Sequence, residues 1–283
     1  MVPQFIHEAQ SSFMLWFEHH LLEKGRAFSN ETGKLFYGAD TRIPSVLNGF
    51  SSQYKQWVAD SSISGANISS GIYVGANFSG RSNGIIVDYD NGRVLASGLS
   101  TSSQPTGAFA VKEFNVYATN ENLEDLIVEK KYFARPKVAS NLSPSGIPPY
   151  APVVPAIFIN SQTQENEPFS FGGEDKTTVN FSATVICDTP YKLDGVLGLF
   201  SDTNEKVFAH IPFTQAPYNE FGDLKSGYYH YGALSSGNSN TLPFVIEKVR
   251  PSKITDKMRR SIENTMYIGL LDFEVSKLRY PRQ

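Results

Sequence analysis

Only one cysteine, Cys187, occurs in the 283 residues, which rules out an internal disulfide and any zinc site built on cysteine pairs. It stands in the run Val185-Ile186-Cys187, where a small buried hydrophobe is expected rather than a nucleophile. No apolar run approaches the roughly 18 residues of a membrane span. The opening MVPQFIHEAQ has neither the basic nor the apolar section of a signal peptide. The five Asn-x-Ser/Thr triplets, at Asn30, Asn67, Asn77, Asn141 and Asn180, therefore carry no expectation of glycosylation. Charge is thin, at 19% of residues, and the net value of −3 predicts no general attraction to nucleic acid or anionic membranes.

Motifs that carry chemistry are missing too. The chain has no GxSxG elbow, P-loop, GxGxxG or HExxH. His19 and His20 are adjacent, so on a helix they point about 100° apart and do not share an ion. His7, His210 and His230 fall in separate elements. Asp88, Asp90 and Asn91 ahead of Gly92 invite a calcium loop, but with Asp88 as position 1 the glycine falls at 5 and Leu99 at 12, where a Gly at 6 and a Glu are needed. Turn chemistry accounts for them. Carboxylate pairs such as Glu124-Asp125, or Asp40 with Asp60, have nothing in the sequence to set them across a cleft. Neither an enzyme, a cofactor nor a bound metal is expected.

What is present is a pattern of short strands. In Gly84 to Ser97, two apolar runs flank Asp90-Asn91-Gly92, a strong local signal for a β-hairpin whose turn residues both accept positive φ. Before it, Ile6, Ala9, Phe13, Phe17 and Leu21 mark one face of a helix over Gln4–Lys24, with Gly25 as its stop. Met14, Leu15, Trp16 and Leu22 widen the apolar arc, so this helix is either buried between layers or held against another subunit. Strands are expected at Lys34–Tyr37, Gln53–Ala59 and Gly71–Val74, with a Ser/Thr-rich boundary over Ser97–Gly107.

A second unit is expected to begin there, giving units of 1–105 and 106–283. Phe109–Tyr117 reads as a strand with a phase slip at Lys112-Glu113, the mark of a bulge, and Glu121–Lys131 as a short helix. Asn141–Pro155 holds five prolines, including Pro148 and Pro149, and suits an extended linker or an arm laid on a neighbour. Val179, Phe181, Ala183 and Val185 alternate as in a half-buried strand. A helix over Tyr191–Ser201, a strand through Val207, Ala209 and Ile211, a strand over Leu242–Val249, a helix striped by Ile254, Met258 and Ile262, and a strand over Met266–Leu278 follow. The fold class is α+β and β-rich: an N-terminal helix with a sandwich or barrel-like β-unit, then a mostly antiparallel sheet covered by two helices.

Two surfaces draw notice. Tyr218, Phe221, Tyr228, Tyr229 and Tyr231 crowd a glycine-rich loop over Phe213–Asn240, a composition suited to sugar stacking, to a protein interface or to capping their own sheet. Thr241–Gln283 carries nine Lys/Arg against five Asp/Glu, a net +4 that leaves −7 elsewhere. Lys253, Lys257, Arg259 and Arg260 then form either a solvated helix face or one half of a head-to-tail contact with an acidic copy, with DNA passage nearby a further option.

The run Tyr54–Ala66, followed by Ser70–Val74 and Gly84–Val94, resembles virion structural proteins of tailed bacteriophages, and is most similar to neck and tail components. The second half, with its strand over Thr177–Cys187, helix near Tyr191–Ser201 and strand Gly269–Glu274, resembles tail-terminator or tail-completion folds. The resemblance implies a ring of identical copies between head and tail or at the tail end, in contact with other virion proteins and assembled in the host cytoplasm. The N-terminal helix, through Phe13, Trp16 and Phe17, and the proline-rich arm would then clamp subunits. The competing expectation is a carbohydrate-binding β-module or adhesin working through the tyrosines of the 218–231 loop.

Overall fold

The computed structural model describes residues 4–121, 123, 125–129, 133–134, 153–219, 224–225, 227–254 and 266–280. Helix α1 spans Phe5–Glu23. Strands β1 (Phe28–Lys34), β2 (Phe36–Tyr37), β3 (Leu47–Ser51), β4 (Gly71–Val74), β5 (Asn77–Gly80), β6 (Ile85–Asp88), β7 (Arg93–Ser97), β8 (Thr106–Lys112) and β9 (Asn115–Ala118) follow. After a π-helical turn at Asp125–Glu129 come β10 (Phe133–Ala134), β11 (Val153–Val154), β12 (Ala156–Pro168), β13 (Asp175–Cys187), α2 (Pro190–Ser201), β14 (Val207–Phe208), α3 (Tyr231–Gly237), β15 (Phe244–Lys253) and β16 (Tyr267–Arg279). The fold is α+β and strand-rich, with antiparallel sheets and one sheet curled into a half-barrel.

Two four-stranded sheets, ordered β1-β8-β4-β5 and β2-β3-β7-β6, make the first part. The hairpin lies between β6 and β7, with Asp88 paired to Arg93, so its turn has four residues rather than two. Only Gly92 takes positive φ there, at 59°. The Asp88 carboxylate replaces the missing turn geometry: it accepts from the Asn91 backbone N–H at 3.2 Å and from Arg93 Nε at 2.7 Å. Arg93 also donates to Asp40 at 2.9 Å, pinning the hairpin to the loop after β2. Those contacts take up the oxygens that a calcium ion would need.

The phase slip at Lys112-Glu113 has a cause other than a bulge. At that point the chain leaves β8, which pairs with β1, and enters β9, which pairs in parallel with β12. Phe109 and Val116 therefore face inward from different sheets, and β8 lies in the same sheet as β1 although it follows residue 105. Gln53–Ala59 is a loop held by one bridge, Trp57 to Val111, because its Trp57 ring stacks on Phe109 at 4.2 Å instead of entering a ladder.

The second part is a six-stranded sheet ordered β14-β15-β16-β13-β12-β9. In β13 the residues Val179 and Phe181 are buried in alternation with partly exposed neighbours, but from Ala183 to Cys187 every residue is buried, Thr184 included, because both faces of the strand are covered there. The expected strand through Val207, Ala209 and Ile211 is two residues long and has the opposite phase: Phe208 is buried and Val207 exposed. Thr189 caps α2 by accepting from the Lys192 N–H, and Leu193, Val196, Leu197 and Phe200 form its buried stripe.

Helix α1 joins the parts. Phe13 stacks on Phe181 at 4.3 Å and Phe17 on Phe200 at 4.0 Å, which lays one face on the six-stranded sheet and α2. Leu22 packs with Val58, Ile63 and Ala110 on the other side. One continuous apolar cluster consequently runs from Ala9 through Trp57 and Val94 to Val275. Phe13, Trp16 and Phe17 are 0%, 6% and 0% exposed, so they are core side chains and not subunit contacts. The wide apolar arc exists because α1 is covered on both sides. The helix stops as expected at Gly25, just past its C-cap Lys24; Gly25 is required for space, because an added Cβ would lie 2.5 Å from the Leu21 carbonyl oxygen, and the left-handed residue is the next one, Arg26, at φ 49°.

Candidate functional site

Ionisable groups converge where α1 meets the segments around Tyr218 and Tyr229. Asp60 is fully buried and accepts four hydrogen bonds: from His19 Nδ1 at 2.8 Å, Ser62 Oγ at 2.6 Å, the Ser62 N–H at 2.9 Å and the Tyr231 N–H at 3.0 Å. Burial opposes its charge, but these donors outweigh burial and hold the carboxyl below its ordinary range. Serine, histidine and aspartate meet here without forming a nucleophilic triad. Ser62 Oγ donates to Asp60 and lies 3.5 Å from His19 Nδ1, the same nitrogen that is engaged with Asp60, so that nitrogen is not free to act as base for the hydroxyl.

Beside it, Glu18 and Lys112 form an ion pair at 2.8 Å with side chains 4% and 5% exposed. Tyr229 points its hydroxyl at Glu18, 3.5 Å away, and Tyr218 packs edge-on to Tyr229. Burial raises both phenols well above their usual range. Asp90 accepts from the Leu224 N–H at 3.1 Å, and burial pushes its carboxyl up to about 6 against the opposing pull of Lys112. The cluster fastens the segment at Gly227–His230 to the body: Tyr229 also exchanges backbone hydrogen bonds with Ala59 and Ser61 at 2.9 and 2.7 Å.

That arrangement revises the aromatic platform. Tyr218, Tyr229 and Tyr231 are buried, because each ring fills the space between the loop and α1, and Tyr228 alone of the four is exposed, at 57%. Phe221 lies outside the described residues. Tyr228 lines a groove of about 1020 Å³ along the hairpin, together with exposed Phe78 and Ile86 and the polar Arg81, Asn91 and Lys225.

Strands β12 and β13 form a long hairpin, a pairing with no expectation attached to it from the sequence. Both strands have 13 residues, and their ladder runs out to Pro168 opposite Asp175. Beyond Asn160 the outer edge of β12 passes its last partner, β9, and Thr163–Pro168 is exposed. The turn is ordered by Phe169 and Ser170 N–H groups donating to the Glu174 carbonyl at 2.9 and 3.2 Å. At the tip Phe169 is 60% exposed and Phe171 wholly exposed. A strand pattern ending in Pro-Phe-Ser-Phe-Gly-Gly carried the hairpin signal.

Among the other expected contact residues, Lys253 is paired with Asp194 on α2 at the surface. Pro148, Pro149, Lys257, Arg259 and Arg260 lie outside the described residues, as does the helix expected from Met258 to Ile262. The histidines serve local structure: His7 closes the capping box of α1, His230 caps α3 by accepting from Ala233 N–H, and His210 lies between Glu8 and Lys277 at 3.0 and 2.6 Å. Among the described residues no helix is long and apolar enough to cross a membrane, and no group of three or more ligating side chains gathers. Neither a protein-family model nor a curated protein sequence matches the chain.

Proposed function

We propose that the chain is a virion structural subunit of a tailed bacteriophage, a ring-forming component of the head-tail connector, neck or tail terminus. The observation that best supports self-assembly is the β12–β13 arm, two continuously paired strands that carry Phe169 and Phe171 into solvent. Exposed aromatic side chains on a preordered scaffold lose little entropy on binding and bury large apolar area, which is what a subunit contact needs. The assignment to a neck or tail rests on the resemblance over Tyr54–Val94 and the second half. Light scattering during size-exclusion chromatography, with mass spectrometry of purified particles, tests it. An oligomer and a fixed copy number in particles are expected; a monomer that is missing from particles refutes the reading.

The groove along the hairpin favours a second reading, carbohydrate binding. Exposed Phe78 and Tyr228 offer flat faces, and Arg81 offers hydrogen-bond donors within the same groove. On a glycan array, reproducible binding that disappears in Tyr228→Ala supports it; binding unchanged by that substitution counts against it.

A further inference from the structure

We propose that Phe171, with Phe169 beside it, inserts into a cleft between α1 and α2 of a second copy of the chain, making a head-to-tail contact. The inference deepens the self-assembly reading and names its two surfaces. The receiving cleft has about 480 Å³ and is lined by Leu21, Ala27, Phe114, Val196 and Leu199, with exposed Tyr191 at its edge. An aromatic ring and an apolar cleft of this size gain by covering each other, since each is otherwise left against water.

The strand β13 decides that the contact is between molecules. Its first residue, Asp175, stands beside the tip, and its last, Cys187, leads through Thr189 into α2. At roughly 3.3 Å per residue a strand of 13 residues holds its ends about 40 Å apart. The tip therefore does not reach the cleft of its own chain. A knob at one end of a stiff strut and a socket at the other form a heterologous pair, which repeats from copy to copy and gives a ring when the rotation closes.

Charge favours the same pairing. Glu165, Glu167 and Glu174 of the arm make no ion pair among the described residues. The cleft lining carries one lysine and one glutamate, Lys192 and Glu113, paired at 3.4 Å with Asp188 also 3.3 Å from the lysine, while the exposed Lys24, next in sequence to the lining Gly25, has no ion pair among the described residues. A carboxylate of the arm gains a partner in Lys24 on entering the cleft, which fixes register.

Gly195 supplies the test. It lines the cleft, and a Cβ added there meets nothing within 4 Å, so Gly195→Phe fills the socket without disturbing α2. The knob is removed by the double substitution Phe169→Ser with Phe171→Ser. In sedimentation velocity on the full chain, the wild type is expected to self-associate, and each variant alone to do so at least tenfold more weakly. A one-to-one mixture of the variants retains one intact knob and one intact socket, and forms a dimer that grows no further. Unchanged melting curves for both variants separate loss of contact from loss of fold. If either variant assembles as the wild type does, or the mixture forms no dimer, the contact is wrong while ring formation by other surfaces stands. A wild type that stays monomeric throughout overturns both. If the variants behave as expected and the chain is missing from purified particles, the contact stands and the virion reading fails.

Discussion

Replacing Asp90 by asparagine is expected to stabilise the protein at pH 8 and to do so far less at pH 4. The carboxyl titrates near 6 in the folded chain because burial disfavours its charge, against an ordinary value of 3.8 when unfolded. A folded value above the unfolded one means that the native state holds the proton more tightly, so stability is highest at low pH and falls as pH rises through the interval from 4 to 6. A shift of about two units at about 1.4 kcal/mol each sets an upper bound of about 3 kcal/mol for the full loss. Most of it, roughly 2 kcal/mol, accrues between pH 4 and pH 8. Asparagine is nearly isosteric, keeps an oxygen for the Leu224 N–H, and carries no charge to bury. Urea melts of wild type and Asp90→Asn at pH 4, 5, 6 and 8 would give the difference directly, and thermal midpoints would separate by roughly 4 °C at pH 8. A difference that stays flat with pH, or a variant less stable at pH 8, refutes the placement of this carboxylate in a desolvated site. The second outcome would show that its attraction to Lys112 outweighs desolvation.

The Glu18–Lys112 pair gives a complementary test, since Lys112→Ala strands a buried carboxylate and should cost about 3–5 kcal/mol in chemical denaturation, most of it recovered by the double replacement Glu18→Leu with Lys112→Met. Gly92→Ala is expected to destabilise by more than the ~1 kcal/mol of a simple positive-φ penalty, because the new Cβ would overlap the Tyr54 carbonyl oxygen; calorimetry that finds it neutral sinks this account of the turn. Cys187 is fully buried and its thiol is pushed up to about 12 by burial, so it should react with a disulfide reagent only after denaturant is added, and rapid labelling of the native chain would contradict the packing of β13.

The sequence by itself determined those elements whose signals are local. The 3.6-residue stripe from Ile6 to Leu21, the alternation from Val179 to Val185 and the glycine after Asp90-Asn91 each follow from the steric needs of a single segment, and α1, β13 and the β6–β7 hairpin stand where those signals are. Tertiary structure decided everything that depends on which segments meet. Trp16 has the same apolar side chain whether it covers a sheet or a subunit, and only its packing against Phe200, Phe208 and Phe273 makes it core. The tyrosines of the 218–231 loop divide into three buried and one exposed because Glu18 and Asp60, some 200 and 170 residues away in sequence, are placed beneath them. The same holds for Lys112, whose buried charge has no local explanation until Glu18 arrives opposite it. The knob and the cleft separate in the same way. Two phenylalanines around a serine are visible in the sequence, but that they project from one end of β13 while an apolar cleft opens at the other is fixed by the ladder of β12, β13 and β16, because strand length and not composition sets the distance between them.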